Sequence, residues 1–249
     1  MRITNIGSSD KASFYVACEL YHQILNHPQS RLGLATGGTM VGMYGYLVDL
    51  LTKNKLDVTH IETFNLDEYK GLAPEHSASY NYYMHQILFD RYPYFNEANL
   101  HLPNGMAQDV TAESERYEQL LADRGPIDIQ ILGIGENGHI GFNEPGTPFD
   151  SVTHCVDLTE STIEANSRFF NNKNDVPRQA ISMGLSSIMR AKRIILLAFG
   201  KHKKDAITKL VNGTISTDVP ATILREHPNV DVYVDDEAMP DYINESSRV

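Results

Sequence analysis

The feature that most limits what this chain can fold into is an alternation. Short aliphatic runs at residues 31–36 (RLGLAT), 60–66 (HIETFNL), 127–134 (IDIQILGI), 193–199 (RIILLAF) and 230–234 (VDVYV) are each followed by a turn or a polar segment. Runs this short and this rich in Val, Ile and Leu suit strands covered on both faces. Between them, Met40, Met43, Tyr44, Leu47, Leu50 and Leu51 recur at i, i+3, i+4 and i+7, which puts them on one side of a helix over residues 40–51. Residues 79–89, 111–121 and 202–211 also read as helices. With no internal repeat, low-complexity tract or linker, the pattern predicts an α/β fold in one domain spanning residues 1–249: a mostly parallel sheet flanked by helices. Ligands of such sheets bind beyond the carboxyl ends of the strands, so the chemistry is expected in the loops that follow them.

Composition narrows the partners. The net charge is -11 over 249 residues, which argues against nucleic acid, since a binder of it presents a basic face. An anionic ligand would have to be held by a local clamp of a few cations and backbone N–H groups. No apolar run is long enough for a membrane span, and the N-terminal stretch lacks the basic-then-apolar order of a signal peptide. The two cysteines, Cys18 and Cys155, read as free buried thiols in a reducing compartment. These features predict a cytoplasmic protein without nucleic-acid or membrane partners.

Three loops carry unusual residues. The first is Thr36, Gly37, Gly38 and Thr39, between a strand and the helix over residues 40–51. Two glycines allow close backbone approach and positive φ, the helix start offers free N–H groups and the threonines add hydroxyl donors, which together suit a phosphate. A tight turn capped by Thr39 explains the same residues. The second loop is NLDEY at residues 65–69, where Asp67 and Glu68 end an apolar run. Such a pair serves as a general base, a metal ligand or a cap for a following turn. The third is GIGENGHIGFNEP at residues 133–145, with Gly133, Gly135, Gly138 and Gly141 set among Asn137, His139 and Glu144. A structural turn has little use for that combination. Histidine exchanges protons near neutral pH, and a carboxylate such as Glu144 orients and charge-stabilises an imidazole. A metal site would want further ligands at fixed spacing, and a hydrolytic triad would want a G-x-S-x-G elbow; neither pattern is present, so no metal and no cofactor are expected. For the cationic clamp, Arg168 stands beside Phe169 and Phe170, and Lys201, Lys203 and Lys204 cluster just after the run at residues 193–199.

Together these segments resemble the glucosamine-6-phosphate deaminase family. The match runs across nearly the whole chain, through LGLATGGT (32–39), FNLDEY (64–69), LGIGENGHIGFNEPG (132–146), ANSRFF (165–170) and GKHK (200–203). The resemblance implies a Rossmann-like three-layer α/β sandwich and a metal-independent reaction that converts glucosamine 6-phosphate and water to fructose 6-phosphate and ammonia, a step of amino-sugar catabolism. It also implies residue roles. Asp67 would remove the proton from carbon 2 of the opened sugar. His139 would serve ring opening as acid and base, supported by Glu144 and Asn137. Thr36, Gly37, Gly38, Thr39, Arg168 and Lys203 would bind the phosphate. Two departures from patterns within the family stand out. Asn137 stands where one branch has an aspartate, so it orients His139 without tuning it by charge. His154 and Val156 stand where hexameric members carry the basic residues that bind an N-acetylated activator. The departures, with a short C-terminus, predict a monomer or small homo-oligomer without that activation. Residues 153–174, polar and without a clear period, are the expected lid.

A 6-phosphogluconolactonase has a related glycine-histidine loop, but GFNEP (141–145) and DEY (67–69) favour a deaminase. A non-catalytic sugar-phosphate sensor would need no acid/base pair and would carry a DNA-binding module, of which this chain shows no sign.

Overall fold

The computed structural model of the chain describes residues 1–167, 170 and 172–243. Its strands are β1 (Arg2–Asn5), β2 (Arg31–Leu34), β3 (Glu62–Asn65), β4 (Asp67–Tyr69), β5 (Leu100–His101), β6 (Ile129–Leu132), β7 (His154–Asp157), β8 (Gln179–Ser182), β9 (Ile194–Ala198) and β10 (Val230–Val234). Its helices are α1 (Ser9–Asn26), α2 (Val41–Asn54), α3 (Tyr80–Met84), α4 (Val110–Arg124), α5 (Glu160–Asn166), α6 (Leu185–Met189) and α7 (Lys204–Asn212). Seven strands form one sheet in the order β1-β10-β9-β6-β2-β3-β5, and every neighbouring pair in it is parallel. Parallel neighbours require crossovers, and the intervening helices supply them.

The five aliphatic runs are the five contiguous inner strands, β10, β9, β6, β2 and β3. All of β6, β9 and β10 is buried, so both faces need apolar side chains and the period-2 signal disappears. The edge strands β1 and β5 are only part-buried and carry no such run. The longest helix, α1, has no counterpart among the expected ones. Its buried stripe is built on small residues, Ala12, Ser13 and Ala17, with Val16, Leu20 and Ile24, while Phe14, Tyr15 and Leu25 are exposed and blur the period. α1 lies against α2, whose buried Met43, Tyr44, Leu47 and Leu51 form the stripe read from the sequence. The expected helix over residues 79–89 is α3 continued by one wider, π-type turn over His85–Phe89. Cys18 and Cys155 are free, but half-buried rather than buried.

A second, antiparallel sheet, in the order β4-β8-β7, was not expected. The chain passes into it from β3 within one residue. Leu66 donates its N–H to Leu34 O of the large sheet and accepts from Met183 N beside the small one. Asp67 then pairs with Ser182. Under this sheet lies a separate apolar cluster of Tyr69, Phe142, Leu158, Ile163, Val176 and Ala180. The segment expected to be a lid therefore begins with β7, paired to β8, and continues into α5.

Candidate active site

From β2 the chain moves to β3 and β5 on one side, then returns to β6 on the other side of β2 and on to β9 and β10. Between β2 and β6 the loops leaving the carboxyl ends diverge, and a crevice opens there. A cleft of about 610 Å³ occupies this place, bordered by the loops after β2, β6 and β9, by Asp67 and by α5.

The loop after β2 presents bare backbone. Gly37 has φ 105°, and a Cβ built on Gly37 or Gly38 would touch nothing within 4 Å, so these peptides face open space. One 3-10 turn over Gly38–Met40 leads into α2, and no side chain, that of Thr39 included, caps either start. The first amides are thus left for a ligand. The Tyr83 hydroxyl donates to Gly37 O at 2.8 Å and the Tyr44 hydroxyl to Ala35 O at 2.7 Å, which fixes the loop from behind. Beside this loop, where His202 shares a small pocket with Gly38 and Thr39, the turn Lys201–Lys203 follows Gly200, whose N–H donates to both oxygens of Asp235 at 3.0 Å. Of the three clustered lysines, Lys203 borders the cleft, whereas Lys204 pairs outward with Asp241. Arg168 lies outside the described residues; α5, just ahead of it in the chain, borders the cleft with Thr162 and Asn166.

The loop after β6 is folded against itself by its glycines. Gly135 N donates to His139 O at 2.9 Å and Gly138 N to Gly135 O at 3.0 Å. A Cβ on Gly135 would stand 2.3 Å from His139 Cε1, so the imidazole rests on that glycine. Glu144 sits behind the ring. Its Oε2 accepts from Asn137 Nδ2 at 2.7 Å and lies 3.4 Å from His139 Nδ1, an ion-pair distance without hydrogen-bond alignment. Asn137 closes the triangle by accepting from His139 N at 3.1 Å. Burial pushes the Glu144 carboxyl up, but the His139 imidazole and the Thr162 and Asn137 donors outweigh it and bring the group down to about 2. Glu144 is therefore a fixed negative charge beside the imidazole.

Asp67 and Glu68 have separated in role. Glu68 accepts from the N–H groups of Tyr69, Tyr80 and Asn81 at 2.8, 2.9 and 2.9 Å, so it caps the start of α3 and braces β4. Among the described residues, none donates to Asp67 in this way. Burial, and then the Glu68 charge, raise its carboxyl to about 8. The carboxylate faces the imidazole loop: a Cβ on Gly141, itself at φ 57°, would lie 3.7 Å from Asp67 Oδ2. The tertiary structure thus gathers Asp67, Asn137, His139, Glu144, the Thr36–Thr39 backbone and Lys203 at one cleft. Among the described residues, no group of three or more His, Cys, Asp or Glu is placed to hold a metal ion.

Several residues at the cleft or just behind its wall carried no readable signal. Tyr80 and Tyr83 come from a helix whose apolar face looked merely structural. Thr159 and Thr162, which reach Glu144 Oε1, sit in a polar segment where threonine is unremarkable. His202 borders the cleft and was masked by its neighbouring lysines.

Residues 8–233 match the family described as glucosamine-6-phosphate isomerases/6-phosphogluconolactonase. A glucosamine-6-phosphate deaminase of Staphylococcus epidermidis is 65% identical over 241 residues, 97% of this chain and 99% of that protein. One of Staphylococcus saprophyticus is 65% identical over 240 residues, 96% and 99% of the two chains. The solved structure of a monomeric glucosamine-6-phosphate deaminase superposes with a TM-score of 0.94 at 44% identity, over 96% of this chain and 98% of that one. A 6-phosphogluconolactonase from Trypanosoma brucei, at 18% identity and a TM-score of 0.76 over 95% and 96%, shares the fold.

Proposed function

The chain belongs to the glucosamine-6-phosphate isomerase/6-phosphogluconolactonase family, and from that premise we propose that it is a glucosamine-6-phosphate deaminase, converting glucosamine 6-phosphate and water to fructose 6-phosphate and ammonia. The observation that carries this reading is the meeting of Asp67 with the His139–Glu144 pair across one cleft, in a chain 65% identical to a named deaminase over nearly its full length. Lactone hydrolysis would need no base at carbon 2, and the lactonase likeness extends to the fold alone.

In this reading the phosphate lies on the Thr36–Thr39 amides and hydroxyls and against Lys203, with Arg168 as the expected second cation. That clamp answers the difficulty of an anion on a protein of net charge -11. His139 moves a proton from the carbon-1 hydroxyl to the ring oxygen, opening the sugar, while the Glu144 charge stabilises the imidazolium. Asp67 then takes the carbon-2 proton and returns it to carbon 1, while one nitrogen proton passes to the carbon-1 oxygen, leaving a hydroxymethyl group at carbon 1 and an imine at carbon 2. Water adds there, and nitrogen departs as ammonia. The atoms of one water enter, and its oxygen becomes the ketone of the product. The lid over the bound sugar is the segment 153–174, of which α5 borders the cleft. The protein acts in the cytoplasm as a monomer, as its 44% identical solved relative is described to be, and without nucleic-acid partners.

The test is ammonia release from glucosamine 6-phosphate, run beside 6-phosphogluconolactone hydrolysis. Release is expected from the wild-type protein, and Asp67→Asn and His139→Gln are expected to lose ~10²–10⁴-fold in kcat while remaining folded. Lactone hydrolysis without ammonia release would overturn the reading.

A further inference from the structure

The two oxygens of Glu144 are divided between two parts of the molecule. Oε2 belongs to the imidazole loop, accepting from Asn137 and lying at the ion-pair distance from His139. Oε1 belongs to the segment expected as a lid, where it accepts from the hydroxyl of Thr162 and, at 3.2 Å, from that of Thr159. Thr159 is also the N-cap of α5 and accepts from Thr162 N, so the two threonines are fixed to each other at the start of the helix. Thr162 and Glu144 are both more than nine-tenths buried. One turn further along α5, on the same face, Asn166 borders the cleft, as does Tyr69.

We propose that Thr162 is a positioning residue for proton transfer: by holding Oε1 of Glu144 it keeps Oε2 directed at Asn137 and His139, so the imidazole is correctly set only while α5 is seated. A carboxylate turns readily about its last bond, and donors on Oε2 alone leave that torsion soft. A third fixed point on Oε1 makes the plane of the carboxylate, and hence the place of its charge, a property of the docked helix. This inference rests on the deaminase reading for its kinetics but not for its geometry.

The experiment has two readouts. In the first, the His139 imidazole is titrated by NMR in the full chain, its signal assigned by loss in His139→Gln. Glu144 is the carboxylate in contact with it; Asp67, Glu136, His202 and Lys203 border the same cleft and are common to all variants. Thr162→Val is expected to lower the His139 midpoint, because the partner charge 3.4 Å away swings aside, and Thr162→Ser to restore it. An unchanged or raised midpoint overturns the proposal whether or not the protein is a deaminase. In the second, Thr162→Val is expected to lose ~10- to 100-fold in kcat, the scale of a hydrogen bond to a charged group, with KM changed less than about threefold. A loss confined to KM would mean that Thr162 only docks the helix, and would overturn the proposal. Should Thr162→Val fail to fold, Thr162→Ala is read in the same way. Absence of ammonia release from the wild type would sink the functional reading and leave the titration to decide on Thr162.

Discussion

At Asp67, burial and the adjacent Glu68 charge raise the carboxyl to about 8, whereas an exposed aspartate titrates near ~4. A base must be ionised to take a proton from carbon, so kcat/KM for glucosamine 6-phosphate is expected to rise with pH up to about 8. A profile already flat above about pH 5 would remove Asp67 from that role. The same shift has a stability consequence of definite sign. Between about pH 4 and 8 the folded protein holds a proton that the unfolded chain releases, so stability falls as pH rises across that window and is level above it. Asp67→Asn removes the penalty: its Tm is expected to exceed that of the wild type at pH 8, by the equivalent of about 1 kcal/mol, and to approach it as pH falls to about 4. Thermal melts at the two pH values check this. Glu144 has the opposite sign, since its carboxyl is held down at about 2; it contributes stability at neutral pH that is lost only under strong acid. None of this division between the acids was legible in the chain, because adjacent Asp67 and Glu68 differ only in where the fold sends their side chains. Alternation along β4 turns one into the cleft and the other onto the α3 amides.

At the scale of elements, the glycines of the loop after β6 act by making room. A Cβ on Gly135 would meet the imidazole at 2.3 Å and one on Gly138 would meet Val219 at 2.5 Å. Gly135→Ala is therefore expected to displace His139 by a large fraction of an ångström and to cut kcat about 100-fold. Binding of the phosphate, measured with a non-reacting sugar phosphate, should change little because the Thr36–Thr39 loop is untouched. Equal losses in both would show a loop that has collapsed rather than an imidazole that has moved. This loop was readable because glycine, histidine, asparagine and glutamate at that density have few structural uses. Its support from α5 was not. Thr159 and Thr162 act on Glu144 across the gap between residues 144 and 159, and no local pattern links them. α1 was missed for a different reason, since its buried stripe includes the small side chains Ala12, Ser13 and Ala17, which periodicity hardly registers.

For the whole molecule, function and stability lie at opposite ends of the sheet. At the amino end, the buried Asp231 of β10 holds Arg2 of β1 and Arg193 beside β9, with N–O distances of 2.7 and 2.6 Å. This ties an edge strand, which lacks an aliphatic run, to the core. Asp231→Ala is expected to cost about 2 kcal/mol, less than for a fully enclosed pair because Arg2 is largely exposed. Denaturant unfolding measures that cost, while kcat should remain within about twofold of wild type; a large fall in kcat would mean that the two ends are coupled. What the amino-acid sequence determined by itself was whatever depends on local composition. The inner strands are buried on both faces and must be aliphatic, α2 must carry its stripe, and the ligand loops must carry glycine. What only the tertiary structure decided was whatever depends on contact across the chain. This includes the edge strands that solvent leaves unconstrained, the antiparallel sheet that carries Asp67, and the choice of Lys203 over Lys201 and Lys204 at the cleft. It also includes the sharing of Glu144 between the imidazole loop and α5. A residue's chemistry is fixed by its type, but its pKa and its partners depend on burial and distance, which arise only once remote segments are packed together.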